Sequence, residues 1–260
     1  MARKFVNATP SYLTSSFGAI NSYPFTIMGW FNSTNPTGIG TNPTIVACGH
    51  TSSNADTVTV GILTSTGKLF SLLYDDNASG YDLQQPTPVI SANTWYSFAF
   101  SAFSATNRTT YLNGGNAVNS SAGVSISSSL NTTTTIGIYN ASGGVLAGTG
   151  FDGQIAEVCF WNAALTAGEV GAFNLGRRAK EIRPESFAGW YPIDGLASPE
   201  PDYSGNARNM TLIGAPAQAN GPPISAFTRR HPLSTISVAS SFIPAWAVPS
   251  NKISSGCFAT

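Results

Sequence analysis

The residues able to do chemistry in this chain are few and scattered. There are five glutamates, Glu157, Glu169, Glu181, Glu185 and Glu200. Glycoside hydrolysis with retention needs two carboxyl groups about 5–5.5 Å apart. Among the glutamates only Glu181 and Glu185 are close in sequence, and Pro184 breaks the segment between them. The two histidines, His50 and His231, are far apart, and nothing around either supports a Ser-His-Asp set. Cys48, Cys159 and Cys257 form neither a disulfide framework nor a paired metal motif. Cys159 sits in an apolar run and reads as a small core residue. No Gly-rich phosphate loop and no His/Cys cluster is present. The chain is therefore read as non-enzymatic, with no required cofactor.

One acidic cluster remains, Tyr74-Asp-Asp-Asn-Ala-Ser-Gly-Tyr-Asp82. Asp75, Asp76 and Asn77 offer the hard oxygen ligands that calcium takes. Tyr74 and Tyr81 offer flat surfaces to a sugar ring. The same residues also make a solvated Asx-rich turn, which Asp-Asn-x-Ser-Gly forms readily. Both readings stay open, and calcium is the one candidate cofactor.

Composition narrows the partners. Charged residues are 9% of the chain, with twelve Lys and Arg balancing twelve Asp and Glu, against about 25% charged in ordinary domains. Without a basic field, nucleic acid is not an expected partner. A surface built from Ser, Thr, Asn and Gly suits an assembly or a neutral ligand such as a sugar. The two basic residues near Met1 have no apolar run behind them, so no secretory signal is expected. No apolar run reaches the ~18 residues of a membrane span, so no membrane is expected either.

The elements that must position these residues read as strands. Phe25–Phe31 alternates with both faces at least partly apolar. Strands follow at 44–48, 57–63, 68–74, 95–100, 108–112, 134–139 and 153–161. Asn113-Gly114 marks a tight turn. One helix is expected after Thr166, with Glu169 completing a capping box and Gly176 ending it. Beyond Pro184 come an extended run at 189–194 and a last strand ending at Ile213. The expected organisation is a sandwich over 1–214 and an extended, Pro-rich C-terminal arm over 215–260.

Four of these segments resemble, in order, the laminin-G/pentraxin/concanavalin A-like jelly-roll superfamily. They are Phe25-Thr-Ile-Met-Gly-Trp-Phe31, Asn93-Thr-Trp-Tyr-Ser-Phe-Ala-Phe-Ser101, Tyr111-Leu-Asn-Gly114 and the stretch from Phe151 to Thr166. Trp190-Tyr-Pro-Ile-Asp194 and Asp202-Tyr-Ser-Gly-Asn206 resemble a segment that comes first in many members and here follows the helix. The resemblance implies an all-β antiparallel jelly-roll sandwich, with loops on one rim free for ligands and calcium on that rim in many members. No metal ligand of the family carries over residue by residue. Glucanases of the superfamily bear an E-x-D-x-E strand, which this chain lacks.

The function expected is a non-enzymatic structural protein of a virion, a bacteriophage-type capsid decoration or fibre-like surface protein. The alternative is a lectin-like carbohydrate-binding adhesion module. The first reading joins a sandwich without a leader to an apolar, Pro-broken arm. Phe227, Phe242, Trp246 and Phe258 of that arm are the expected anchors onto other virion subunits. The expected location is the virion, with surface glycans as further partners.

Overall fold

Phe25, Ile27 and Phe31 alternate with Met28 and Trp30, and all five side chains are buried. A strand covered on both faces needs a sheet on one side and a second layer on the other. The computed structural model supplies both, and describes residues 1–38, 40–49, 57–75, 80–126, 132–141, 144–195 and 197–224. Met1–Phe227 forms one compact unit, and the second unit, Thr228–Thr260, lies outside the described residues.

In chain order the strands are β1 (Ala2–Phe5), β2 (Tyr12–Ser15), β3 (Phe25–Ser33), β4 (Thr44–Gly49), β5 (Thr57–Leu63) and β6 (Lys68–Asp75). Then come β7 (Gly80–Gln84), β8 (Trp95–Ser104), β9 (Asn107–Leu112), β10 (Gly115–Ser120), β11 (Thr133–Ile136), β12 (Asn140–Ala141), β13 (Gly144–Val145) and β14 (Gly153–Trp161). After the helix α1 (Ala167–Asn174) follow β15 (Phe187–Tyr191), β16 (Thr211–Ile213) and β17 (Ala217–Ala219). All pairing is antiparallel. The first sheet runs β10-β9-β8-β3-β14-β1-β17, with β15 also on β14; the second runs β16-β2-β11-β4-β5-β6-β7; β12 and β13 form a small ribbon.

The main core lies between the sheets. Phe25, Ile27, Phe31, Phe98 and Phe100 of the first meet Val46, Val58, Val60, Leu69 and Leu73 of the second. A smaller core lies behind the first sheet. There Met28, Trp30, Cys159 and Trp161 pack under Val170 and Phe173 of α1. Thr166 caps α1 and Glu169 returns the bond, so the capping box forms as its spacing predicts. The Asn113-Gly114 turn also forms, with φ of +54° and +70°, the left-handed values that Asn and Gly adopt at low cost.

The C-terminal strands pair with the N-terminal ones, β17 with β1 and β16 with β2, so the stretch that follows the late family segment adds a strand to each sheet. Two expectations are corrected. The sandwich does not end at 214, because β17 adds a strand beyond the Gly214-Ala-Pro216 punctuation. The strand expected over 134–139 stops at Ile136; the chain then turns over the outer face of the second sheet, with Thr135 Oγ1 donating to the Ile138 carbonyl at 2.7 Å.

Candidate functional site

Alternation along β6 decides the fate of the acidic cluster. Leu69, Ser71, Leu73 and Asp75 form one set, and Leu69 and Leu73 belong to the main core. Asp75 shares their side and is 4% exposed. Tyr74 takes the other side and is half-buried on the outer face of the second sheet. Adjacent strand residues point to opposite faces, so Tyr74 and Asp75 do not converge on one ligand, contrary to the reading of a shared loop site. Tyr81 is the Cα partner of Tyr74 across the β6–β7 hairpin. Asp82, also of the cluster, accepts from Arg108 Nη2 at 2.9 Å and from Gln84 Nε2 at 3.0 Å. Its carboxylate is thus committed to an internal ion pair. Asp76 and Asn77 lie outside the described residues, as do the arm residues Phe227, Phe242, Trp246 and Phe258. Among the described residues no group of three or more His, Cys, Asp or Glu side chains is placed to hold a metal ion.

What the outer face does gather around Tyr74 is hydroxyl and amide chemistry. Thr57 is the Cα partner of Tyr74, and Thr59 lies two residues along on the same side of β5. Tyr139 comes down from the segment leading into β12, half-buried, beside both Thr57 and Tyr74. Burial pushes its phenol up, the Thr57 hydroxyl opposes this, and Tyr74 adds to the rise. Both tyrosines present amphipathic rings, an apolar face with a polar tip.

Asn140 closes the group. Its carbonyl approaches Gly49 so closely that a Cβ there would stand 2.8 Å from it and 3.7 Å from Thr57 Cγ2. Gly49 is thus required for the approach. Thr57 Oγ1, Thr59 Oγ1 and Asn140 Nδ2 are buried without a hydrogen-bond partner of good geometry. The approach of Tyr139 to Thr57 is accordingly close contact rather than a well-formed bond. Buried polar groups are ordinarily bonded, and these three atoms lie beneath the surface, behind the half-buried rings of Tyr74 and Tyr139. The sequence reading found Tyr74 by its type; it missed Tyr139, taken as the end of a strand, and Thr57 and Thr59, whose alternation with Val58 and Val60 was the available clue.

Two antiparallel sheets face to face, with aromatic and hydroxyl groups on an outer face, define a lectin-type jelly-roll sandwich. The chain belongs to the concanavalin A-like lectin/glucanases superfamily, which it matches over residues 7–171. No curated protein matches it in sequence. Among solved structures it is similar to a putative carbohydrate binding protein from Bacteroides ovatus, with TM-score 0.59 and 21% identity over 84% of this chain and 61% of that one. It is also similar to the CBM40 domain of Ruminococcus gnavus IT-sialidase, with TM-score 0.52 and 12% identity over 67% of this chain and 98% of that one. A heptameric SAP-like pentraxin from Limulus polyphemus gives TM-score 0.50 and 20% identity over 66% of this chain and 81% of that one. At these identities the likeness is one of fold.

Proposed function

We propose that this chain is a non-catalytic carbohydrate-binding module that meets sugars on the outer face of its second sheet, at Tyr74 and Tyr139. The observation that carries this is the placing of two half-buried tyrosine rings, Tyr139 beside Tyr74, on that outer face. A sugar presents a C–H face and a rim of hydroxyls. Tyrosine offers an aromatic face and a polar tip at low entropy cost, and a few placed polar groups set orientation. The low charge of the chain and its likeness in fold to a putative carbohydrate binding protein support the same reading.

The non-catalytic part rests on how the carboxylates are used. Glu157 accepts from the Trp190 indole at 2.7 Å, Glu169 pairs with Arg183 at 2.6 Å, and Glu200 pairs with Arg3 at 2.8 Å. Asp202, two positions beyond Glu200, accepts from the backbone N–H groups of Trp190, Ser204 and Arg208. Each of these carboxylates takes part in ordering the fold.

The test is a glycan array probed with the full chain, with and without calcium, repeated with Tyr74→Ala. Retention of a glycan by the wild type and its loss from the variant are expected. Failure of every glycan to bind, or binding indifferent to Tyr74 and Tyr139, overturns the assignment.

The virion role is a second reading, supported by the apolar, Pro-punctuated composition of the arm. It is compatible with sugar binding, since a surface protein of a particle can do both. Its test is light scattering on the full chain, where assembly through the arm is expected and a monomer that needs no partner counts against it.

A further inference from the structure

The geometry points to a second sugar-stacking site, on the opposite face of the sandwich, built from Trp190 and Tyr203. Trp190 lies in β15 opposite Cys159 of β14, and Cys159 belongs to the core behind the first sheet. The face concerned is therefore the outer face of the first sheet, turned away from Tyr74. Trp190 is half-buried, while Tyr203 is 47% exposed. Their ring centroids are 5.7 Å apart with planes at 58°, which makes a bent aromatic surface open to solvent on the tyrosine side.

The Trp190 ring is held in place, and the Tyr203 backbone is anchored beside it, before any ligand arrives. The Trp190 indole N–H donates to Glu157 Oε2 at 2.7 Å. Glu157 reaches it from an irregularity in β14, where its φ is +53° and the register against β3 shifts. A left-handed, non-glycine residue at a bulge is the kind of local strain that re-aims a side chain. Tyr203 is fixed by its N–H bond to the Trp190 carbonyl at 2.8 Å and by the turn around Asp202. That turn also pins two amides. Asn209 Oδ1 accepts from the Asp202 N–H at 3.0 Å, and Asn206 Nδ2 donates to the Ala188 carbonyl at 3.0 Å. Both asparagines are exposed and belong to the turn that carries Tyr203.

An aromatic surface beside a turn of exposed amides matches a neutral sugar ring, with C–H groups against the aromatic face and hydroxyls toward polar groups. Preorganisation is what lets so small a surface bind, because little freedom remains to be lost. The site stands on different residues from the one at Tyr74 and does not depend on it.

The test is calorimetric titration of the full chain with cello-, xylo- and galacto-oligosaccharides, alongside tryptophan fluorescence as a local readout. Wild type, Tyr74→Ala, Tyr203→Ala and Tyr203→Phe are compared. Tyr203 is exposed, so its truncation leaves both cores intact, which unchanged thermal midpoints verify. Expected is a class of binding weakened about tenfold or more by Tyr203→Ala, retained by Tyr203→Phe, accompanied by a fluorescence change, and unaffected by Tyr74→Ala. If Tyr203→Ala removes all binding and Tyr74→Ala none, the second site stands and the first falls. If Tyr203→Ala changes neither stoichiometry nor affinity, or if no oligosaccharide binds the wild type, the second site is overturned.

Discussion

Arg3 and Glu200 stand 197 positions apart and meet as a buried ion pair, Nε to Oε2 at 2.8 Å, with side chains 6% and 0% exposed. Arg3 also donates to the carbonyls of Pro216, at 3.1 Å, and Ala197. One guanidinium in β1 thus collects three acceptors from the segment that carries β16 and β17. Its five N–H donors in a fixed fork suit that task as an ammonium would not.

Breaking this pair from one side leaves a charge buried. Arg3→Met is expected to cost about 3–5 kcal/mol, because Glu200 then stands alone in the interior. Arg3→Met combined with Glu200→Leu is expected to recover much of that loss, since a well-packed apolar pair can match a buried ion pair. Urea unfolding of the two variants checks the claim. Equal losses in both would show that packing, not the uncompensated charge, sets the cost.

Two glutamates are expected to pull the acid side of the stability profile in opposite directions. Burial pushes Glu200 up, with Arg3 opposing and Asp194 adding to the rise. A carboxyl with a raised folded value holds its proton more tightly when folded, so its contribution grows as pH falls through that value. For Glu169 burial also acts upward, but it is outweighed by the Thr166 N–H, Arg183 and the Thr166 hydroxyl, so the value is lowered. Its contribution is present above the unfolded value of about 4.3 and is lost as pH falls through the folded one. Unfolding free energies measured across this acid range are expected to flatten on opposite sides in Glu200→Gln and Glu169→Gln. Thr166→Ala, which removes the cap itself, is expected to cost about 1 kcal/mol at neutral pH.

The thiols give a sharper test of the two cores. Cys48 is 0% exposed and its thiol is pushed up to about 12, by burial first, against the Thr134 hydroxyl. Cys159 is likewise buried, and burial raises it with Glu157 and Asp202 adding to the effect. Only the thiolate reacts with alkylating reagents. Iodoacetamide at neutral pH is therefore expected to leave both unlabelled in the folded chain and to label both in urea, as peptide mass mapping would read. Labelling of Cys159 before unfolding would show that the layer under α1 opens locally.

The strands with long apolar alternation were legible in the sequence, because period-two burial writes itself into residue types. So was α1, through Thr166, Glu169 and Gly176. What escaped were short strands whose side chains carry polar or charged groups. β1 contains Arg3 and Lys4, and its burial of Arg3 makes sense only with Glu200 in place, a contact no local pattern announces. β7 carries Tyr81 and Asp82, which local turn chemistry drew into a loop reading. The candidate site was half legible. Alternation from Leu69 already places Tyr74 outward and Asp75 inward, whereas Tyr139 and Asn140 reach β5 only through the path of the chain after β11.

Arg108 and Asp82 supply the last test, because they decide what the acidic cluster is for. Arg108 is 0% exposed and joins β9 of the first sheet to β7 of the second through Asp82, with Nε at 3.2 Å and Nη2 at 2.9 Å from Oδ2. It also donates to the carbonyls of Ala105 and Ala122. Beside it Thr110 donates to Gln84 at 3.1 Å, extending the polar link between the two sheets. A carboxylate so engaged stabilises the sandwich and is not on offer to a cation. Asp82→Ala is expected to lose about 3–5 kcal/mol by stranding Arg108, and Asp82→Asn less, since a neutral acceptor remains. Calcium and a chelator are expected to leave the thermal midpoint of the wild type equal, because a ligand that bound the folded state would raise it. A calcium-dependent rise that Asp82→Asn abolished would instead assign this carboxylate to a metal.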